Sequence, residues 1–212
     1  MNIVSKLFSF IKNEDYYMLN FNEKSRYISC APFNGGTGYA YRYINRHVCK
    51  DYNFDSDIEI SLFLKINRIE LEGTVVNLTA ADINKFVISH REWMGYELNV
   101  ILTAHAGNAI SIGNTGEGYQ GTVNIAIITD APLDNTGMVN AFQTIVEAKA
   151  QLFNDLKIKD MKTNKISPGT STDTVSIFVL NDDEKIRYTG RATEIGMAIS
   201  EMVYESLKKR LG

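Results

Sequence analysis

The stretch Thr122–Thr129, TVNIAIIT, leads into Asp130 and a proline-containing turn, then into Met138–Leu156, MVNAFQTIVEAKAQLFNDL, and Asp173–Leu180, DTVSIFVL. The first and last of these are near-continuous apolar, β-branched runs of strand length. That pattern predicts strands buried on both faces. Between them, Phe142, Ile145, Val146, Leu152, Phe153 and Leu156 supply one apolar face at helical spacing. Strand, helix and strand in this order make a layered α/β unit.

The same reading extends outward. Arg26–Ala31, Thr74–Leu78 and Leu98–Ala104 are further strand candidates. Ile58–Ile69 fits a helix better than a strand, and Tyr39, Tyr43 and Val48 mark the aromatic side of another helical segment. Thr79-Ala80-Ala81-Asp82 resembles a capping arrangement and predicts a helix to about Arg91. Thr193 caps a last helix through Leu211, with Ile195, Ile199, Met202 and Leu207 inward. The expected fold is therefore α/β, a single layered domain over 25–212 with a mixed, partly parallel buried sheet and flanking helices. Residues 1–24 are expected to be an N-terminal amphipathic extension. Its opening, Met1–Lys12, reads as a short helix packed on the domain or on a partner, which offers a contact for a homodimer.

The chain has 212 residues, 44% apolar and 22% charged, with net charge −3. Its densest basic cluster, Lys208-Lys209-Arg210, closes a helix, where cations complement the dipole. No basic stripe for nucleic acid is present. No run approaches the ~20 apolar residues needed to span a bilayer. Cys30 and Cys49 are the only cysteines, which fits a reduced, cytoplasmic setting.

In open sheets ligands bind outside the carboxyl ends of strands. Four loops there combine glycine with hydroxyl or amide groups: Asn34-Gly35-Gly36-Thr37, Thr103–Gly113, Thr129-Asp130-Ala131-Pro132 and Gly169-Thr170-Ser171-Thr172-Asp173. Glycine allows close backbone approach, and adjacent N–H groups can hold an anion or a developing oxyanion. The P-loop and the nucleophile elbow are absent. His47, His90 and His105 lack metal-ligand spacing, so no metal site is expected. Carboxylates and hydroxyls remain. Asp130 stands at a strand end, where it also suits capping of the turn. Asp173 follows a hydroxyl-rich turn whose N–H groups it suits as well. Glu147 shares a polar helix stripe with Asn140, Thr144 and Gln151, whereas Lys149 and Asp155 fall elsewhere. His105, in a loop with Gly107, suits acid–base work. Cys30 reads as a buried structural thiol.

Taken in order, these motifs resemble the adenosylcobinamide amidohydrolase family. The residues that carry the likeness are Asn34-Gly35-Gly36, Thr79-Ala80-Ala81-Asp82, Thr103-Ala104 with Gly107-Asn108-Ala109, and Gly121-Thr122-Val123-Asn124 running into Thr129-Asp130-Ala131-Pro132. Met138-Val139-Asn140-Ala141, Thr144 with Glu147-Ala148-Lys149, Gly169-Thr170-Ser171-Thr172-Asp173 and Tyr188-Thr189-Gly190 complete it. The chain departs from the family pattern at His105 and at Ser171, each where a glycine is usual. The resemblance implies hydrolysis of the amide joining aminopropanol to the corrin ring, with a small-molecule corrinoid as partner. It implies no separate cofactor, because the substrate carries the cobalt.

Candidate catalytic groups are Asp130 or Glu147 as base, and Asn108 with the Gly169–Thr172 backbone and hydroxyls for the oxyanion; Thr172 and Asp173 complete the set. A covalent route through Thr170, Ser171 or Thr172 is the alternative. Candidate binding groups are Asn34, Gly35, Gly36, Thr79, Thr103, His105, Gly107, Asn140, Thr144, Gly169, Thr170 and Ser171. Tyr39, Tyr41, Tyr43, Trp93 and Tyr119 are candidate aromatic walls. A corrinoid-binding module without hydrolysis, and a phosphate-recognising enzyme, are the competing classes.

Overall fold

The computed structural model describes residues 5–49, 52, 54–115 and 121–212. Its strands are β1 (Phe8–Lys12), β2 (Tyr16–Ser29), β3 (Gly36–His47), β4 (Thr74–Thr79), β5 (Val87–Trp93), β6 (Tyr96–His105), β7 (Thr122–Thr129) and β8 (Thr174–Val179). The helices are α1 (Ser56–Ile66), α2 (Asn135–Asp155) and α3 (Glu194–Leu211). One sheet of order β4-β3-β2-β8-β7-β6-β5 results, with β1 pairing along β2. The β3–β4 and β7–β8 pairs are parallel and the others antiparallel, so the sheet is mixed.

Period-two alternation sorts β6, β7 and β8 onto two faces. Leu98, Val100, Leu102, Val123, Ile125, Ile127, Val175, Ile177 and Val179 meet α2 and α3 through Ile145, Leu152, Ile199 and Val203. Ile101, Ala126, Ile128 and Phe178 face the other way, into a second core with Tyr17, Leu19, Phe21, Tyr27 and Tyr43. Burial on both sides explains the near-continuous apolar reading of β7. A third cluster joins α1, through Ile60, Phe63 and Leu64, to Tyr16, Met18, Ile44 and Val76. The register of β2 shifts between Asn20 and Ser25, and such a bulge bends a strand pair. The β3–β4 pair is thereby carried over the face of β6 and β7.

Three expected helices are not helices. Leu7 and Phe8 are buried in the second core and β1 is a strand on β2, so residues 8–12 pack on the domain as part of the sheet instead of as a helix. Tyr39, Tyr41 and Tyr43 recur every second residue, and that period makes β3 a strand although Tyr39 and Tyr43 also match a helical turn. After β4, Thr79 Oγ1 accepts the N–H of Ala81, only two residues on, and Asp82 supports just a 3₁₀ turn at Ile83–Lys85. β5 follows and joins β6 through Met94-Gly95, both at positive φ (48° and 85°), a tight hairpin turn. The long middle helix and the last helix form as expected, with Thr193 Oγ1 accepting the Gly196 N–H.

Asp160, buried beyond α2, ties two loops together. One of its oxygens accepts from the Ser111 N–H (3.0 Å), the Ser111 hydroxyl (2.8 Å) and the Asn114 amide (2.8 Å), and the other from the Lys162 N–H (2.8 Å). The Ser111 N–H first, and the Asn114 amide next, hold its carboxyl far below the usual carboxylate range. Because the folded value lies under the unfolded one of about 3.9, this contribution to stability is complete above roughly pH 4 and is lost as pH falls further. Asp160→Asn should therefore lower the urea midpoint at neutral pH and flatten its decline below roughly pH 4. A variant with the wild-type acid limb would assign that decline to other groups.

Candidate functional site

A cleft of about 320 Å³ opens where β2, β3 and β4 end and β7 and β8 begin. The first three contribute Cys30, Pro32, Val48, Cys49, Leu78 and Ala80, an apolar lining with two thiols. The start of β7 and the turn before β8 contribute Thr122, Thr172, Asp173 and Thr174. Tyr52 also lines the cleft, and its hydroxyl donates to Glu59 (3.3 Å). Burial, followed by the Glu59 charge, pushes the Tyr52 phenol up to about 12, so it stays protonated at neutral pH.

The hydroxyl side is organised by the turn Gly169–Asp173. Thr172 Oγ1 donates to the Gly121 carbonyl (2.8 Å) and shares a hydrogen bond with Thr122 Oγ1 (2.9 Å). The Asn108 amide donates to Ser171 Oγ (2.9 Å) and reaches Thr172 Oγ1 (3.5 Å). Asn108 Oδ1 is buried beside Gly121 with no hydrogen-bond partner among the described residues. From behind, Asp173 gathers four donors: the Lys149 ammonium, the Thr170 hydroxyl, the Thr170 N–H (3.0 Å) and the Val123 N–H (3.2 Å). A carboxylate so occupied fixes the turn. A Cβ at residue 169 would run into both Asp173 Oδ2 and Lys149 Nζ, which is why glycine stands there.

A buried amide–hydroxyl belt connects the cleft to the interior. Thr174 Oγ1 donates to Asn124 Oδ1 (2.8 Å), and the Asn124 amide donates to Asn45 Oδ1 (2.7 Å) and to the Leu78 carbonyl (2.8 Å). Asn45 in turn donates to Thr103 Oγ1 (2.9 Å) and to the Tyr17 hydroxyl (3.0 Å). Thr103 and Thr79 are linked as well (3.4 Å). Burial holds the phenols of Tyr17 and Tyr43 protonated, as neutral members of this interior.

Several expected site residues gather here and others do not. Thr172 and Asp173 line the cleft, with Asn108, Thr170 and Ser171 bonded around them. His105 is exposed at the end of β6, directly across the ladder from Thr122, and its Nδ1 accepts the Gly107 N–H (3.1 Å). Gly107 and Ser171 border a neighbouring hollow of about 140 Å³. Thr79 and Thr103 are buried in the belt rather than in the lining.

Asp130 is at the opposite end of β7, where its carboxylate accepts the Glu97 N–H (2.6 Å) and pins β6. In a mixed sheet the strands share no single carboxyl edge, so the end of β7 is not where the cleft lies. Glu147 pairs with Arg191 (2.6 Å) on the outer side of α2. Asn140 and Thr144 hold the loop at Thr189, by its N–H (2.8 Å) and its carbonyl (3.0 Å). The Asn34 amide fastens the start of β4 through the carbonyls of Leu71 (3.0 Å) and Thr74 (2.8 Å). Gly35 packs without room for a Cβ on the Ala31 carbonyl, and Gly36 takes φ of 93°. Neither of them lines the cleft. Cys30 is exposed rather than buried, its Sγ accepting the Val175 N–H (3.1 Å). Tyr43 is core, Tyr39 and Tyr41 are exposed, Trp93 stacks on Tyr96, and none of these four borders the cleft. Tyr119 lies outside the described residues.

Lys149 was missed. Its signal was position: with Ile145, Leu152 and Phe153 it falls on the apolar stripe of α2, where a lone cation needs a buried partner. Asn77 and Asn124 carried a similar signal, as amides set inside otherwise apolar and β-branched strands.

A curled mixed sheet with a cleft at one end and helices packed on its faces defines a mixed α/β protein with one candidate site. The model of the adenosylcobinamide amidohydrolase family matches residues 3–211, and the chain belongs to that family. Among curated proteins it is similar to the uncharacterized protein MJ1613 of Methanocaldococcus jannaschii, 29% identical over 184 residues, covering 76% of this chain and 71% of that one. Among solved structures it is similar to the PH0078 protein of Pyrococcus horikoshii OT3, at 11% identity and a TM-score of 0.45, over 92% of this chain and 75% of that one.

The Lys149–Asp173 pair is nearly enclosed, with side-chain exposures of 10% and 11%. Removing one partner of a buried pair costs about 3–5 kcal/mol, because the other charge stays buried. Lys149→Met should lose stability on that scale in urea unfolding, and Lys149→Arg should lose less. A loss under about 1 kcal/mol would class the pair with weak surface bridges.

Proposed function

We propose that this chain hydrolyses the amide joining aminopropanol to the corrin ring of adenosylcobinamide, releasing adenosylcobyric acid and 1-amino-2-propanol. Membership of the amidohydrolase family over nearly the whole chain carries the reading. The cleft supports it. Its volume of about 320 Å³ suits the aminopropanol arm and an edge of the ring, while the rest of a corrin lies across the mouth. The apolar lining suits the ring edge, and the Thr122–Thr172 hydroxyls suit the amide. The two free thiols, Cys30 and Cys49, support a reducing, cytoplasmic setting. No helix among the described residues is long and apolar enough to cross a membrane. The reading needs no resident cofactor, since the cobalt arrives with the substrate.

Amide hydrolysis requires addition of an oxygen nucleophile to the carbonyl carbon, support for the oxyanion and a proton for the departing amine. In this reading Thr172 Oγ1 either orients the attacking water or attacks first itself, forming an ester that water then opens. The Asn108 amide, already directed at Ser171 and Thr172, donates to the oxyanion. His105, across the ladder from Thr122, takes the proton released by the attacking oxygen and delivers it to the amine as the C–N bond breaks, and on the ester route repeats the uptake for the water that opens the ester. Asp173 and Lys149 hold the turn. A second reading, a corrinoid-binding module without turnover, is favoured by one observation: Asp130 and Glu147 stand away from the cleft.

Incubation of chelator-treated protein with adenosylcobinamide, followed by chromatography and a free-amine assay, separates the two. Aminopropanol and cobyric acid in equal amounts are the expected result. A shifted corrinoid absorption spectrum without products would replace hydrolysis by binding. Asn108→Ala should cut turnover by roughly 10²–10³-fold, the usual cost of an oxyanion-site donor, and Thr172→Val by at least as much, because it removes the oxygen that orients or supplies the nucleophile. Their unfolding midpoints should stay near wild type, and variants that keep full turnover would remove these residues from the reaction.

A further inference from the structure

Ser171 and Thr172 are adjacent in the chain and line different cavities. Thr172 lines the cleft, and Ser171 lines the neighbouring hollow of about 140 Å³. The Asn108 amide reaches both hydroxyls (2.9 and 3.5 Å), so the two cavities share one wall. The hollow is well below the roughly 300 Å³ at which a pocket holds a whole ligand. It suits one arm of a molecule held mainly elsewhere.

The far rim of the hollow is fixed in place. Asp160, which lines it, is buried and takes donors from Ser111, Asn114 and the Lys162 N–H, so the segments 111–114 and 160–162 are tied together. Met161 lies between these anchored positions and also lines the hollow, yet it stands 89% exposed, more than any other large apolar side chain among the described residues. A methionine held out from a fastened backbone adds little to the core, and its flexible thioether adapts to an apolar face laid upon it. Ser171 is exposed as well. Its Oγ accepts the Asn108 amide, which leaves its own proton for a further acceptor.

We propose that this hollow is a second subsite for the corrin, an inference that rests on the reaction proposed above. The cleft takes the aminopropanol arm, and the rest of the ring extends past one of its walls. At the Ser171–Thr172 wall a neighbouring side-chain amide of the ring rim crosses into the hollow. There Ser171 Oγ donates to the carbonyl of that amide, and Met161 rests against the apolar face of the ring. Met161 and Ser171 thus select for a corrinoid over a smaller amide, through a part of the substrate that does not react.

Equilibrium dialysis of adenosylcobinamide against the full chain, with steady-state hydrolysis beside it, tests the subsite. Met161→Ser should raise the Kd about tenfold, the scale of burying one such side chain, and Met161→Leu should restore most of the affinity. In turnover Met161→Ser should raise KM and leave kcat near wild type, the mark of lost binding rather than lost chemistry. Ser171→Ala should weaken binding roughly fivefold, the scale of one hydrogen bond. A Kd that neither substitution moves would overturn the subsite and leave the proposed reaction standing. A loss of affinity that tracks a lowered unfolding midpoint would make Met161 structural and overturn it too. Wild-type protein that binds no corrinoid would remove the proposed reaction, and the subsite with it.

Discussion

The Asn124 amide donates at once to Asn45 on β3 and to the Leu78 carbonyl at the end of β4. Both acceptors belong to the half of the sheet that β2 carries over β6 and β7. A buried amide left unpaired costs about 1–3 kcal/mol, so the halves meet in the one arrangement that pairs Asn124, Asn45 and Thr103. The apolar residues enclosed with them, Phe178 against Phe21 and Tyr43 above all, favour the curl without specifying its register. The polar belt supplies the register. The cleft exists because of it, since its lining comes from β4 on one side and from β7 and β8 on the other.

The chemistry of the cleft rests on a second constraint. The Gly169–Asp173 turn presents Thr172 and Ser171 forward while Asp173 turns back onto Lys149, Thr170 and Val123. A charge pair behind a hydroxyl turn keeps those hydroxyls in place. Asn108 approaches from the loop after β6, and Asp160 fastens that loop to the segment after α2. Segments far apart in the chain are thus locked around one small volume.

Much of the site was legible as composition and little of it as geometry. The run Gly169-Thr170-Ser171-Thr172-Asp173 stood out because glycine and hydroxyls ahead of an apolar strand can hold an anion or a developing oxyanion, while Asp173 equally suits the turn's own N–H groups. Asp130 stood out for the same kind of reason and proved to anchor Glu97. Both stand beside a buried strand, and no local pattern says which end of a mixed sheet is open. Lys149 shows the complementary failure: it read as off the polar stripe of its helix, and its partner lies 24 residues away.

What the sequence alone determined is the class of protein: an α/β layer, the helices after β7 and β8, the central buried strands and the hydroxyl turn that the family resemblance picked out. These follow from periodicity and from local capping chemistry, which act over a few residues. The strands β1, β3 and β5 escaped such a reading because aromatic and β-branched residues at every second position also fall, in part, at helical spacing. Tertiary structure decided between the periods by burying Tyr43 and Asn45 together and by pairing β5 across a two-residue turn. Only the tertiary structure decided where the site is. The bend of β2, the belt through Asn124 and the pairing of Lys149 with Asp173 are satisfied between residues distant in the chain, and burial makes each of them compulsory only once the sheet has closed.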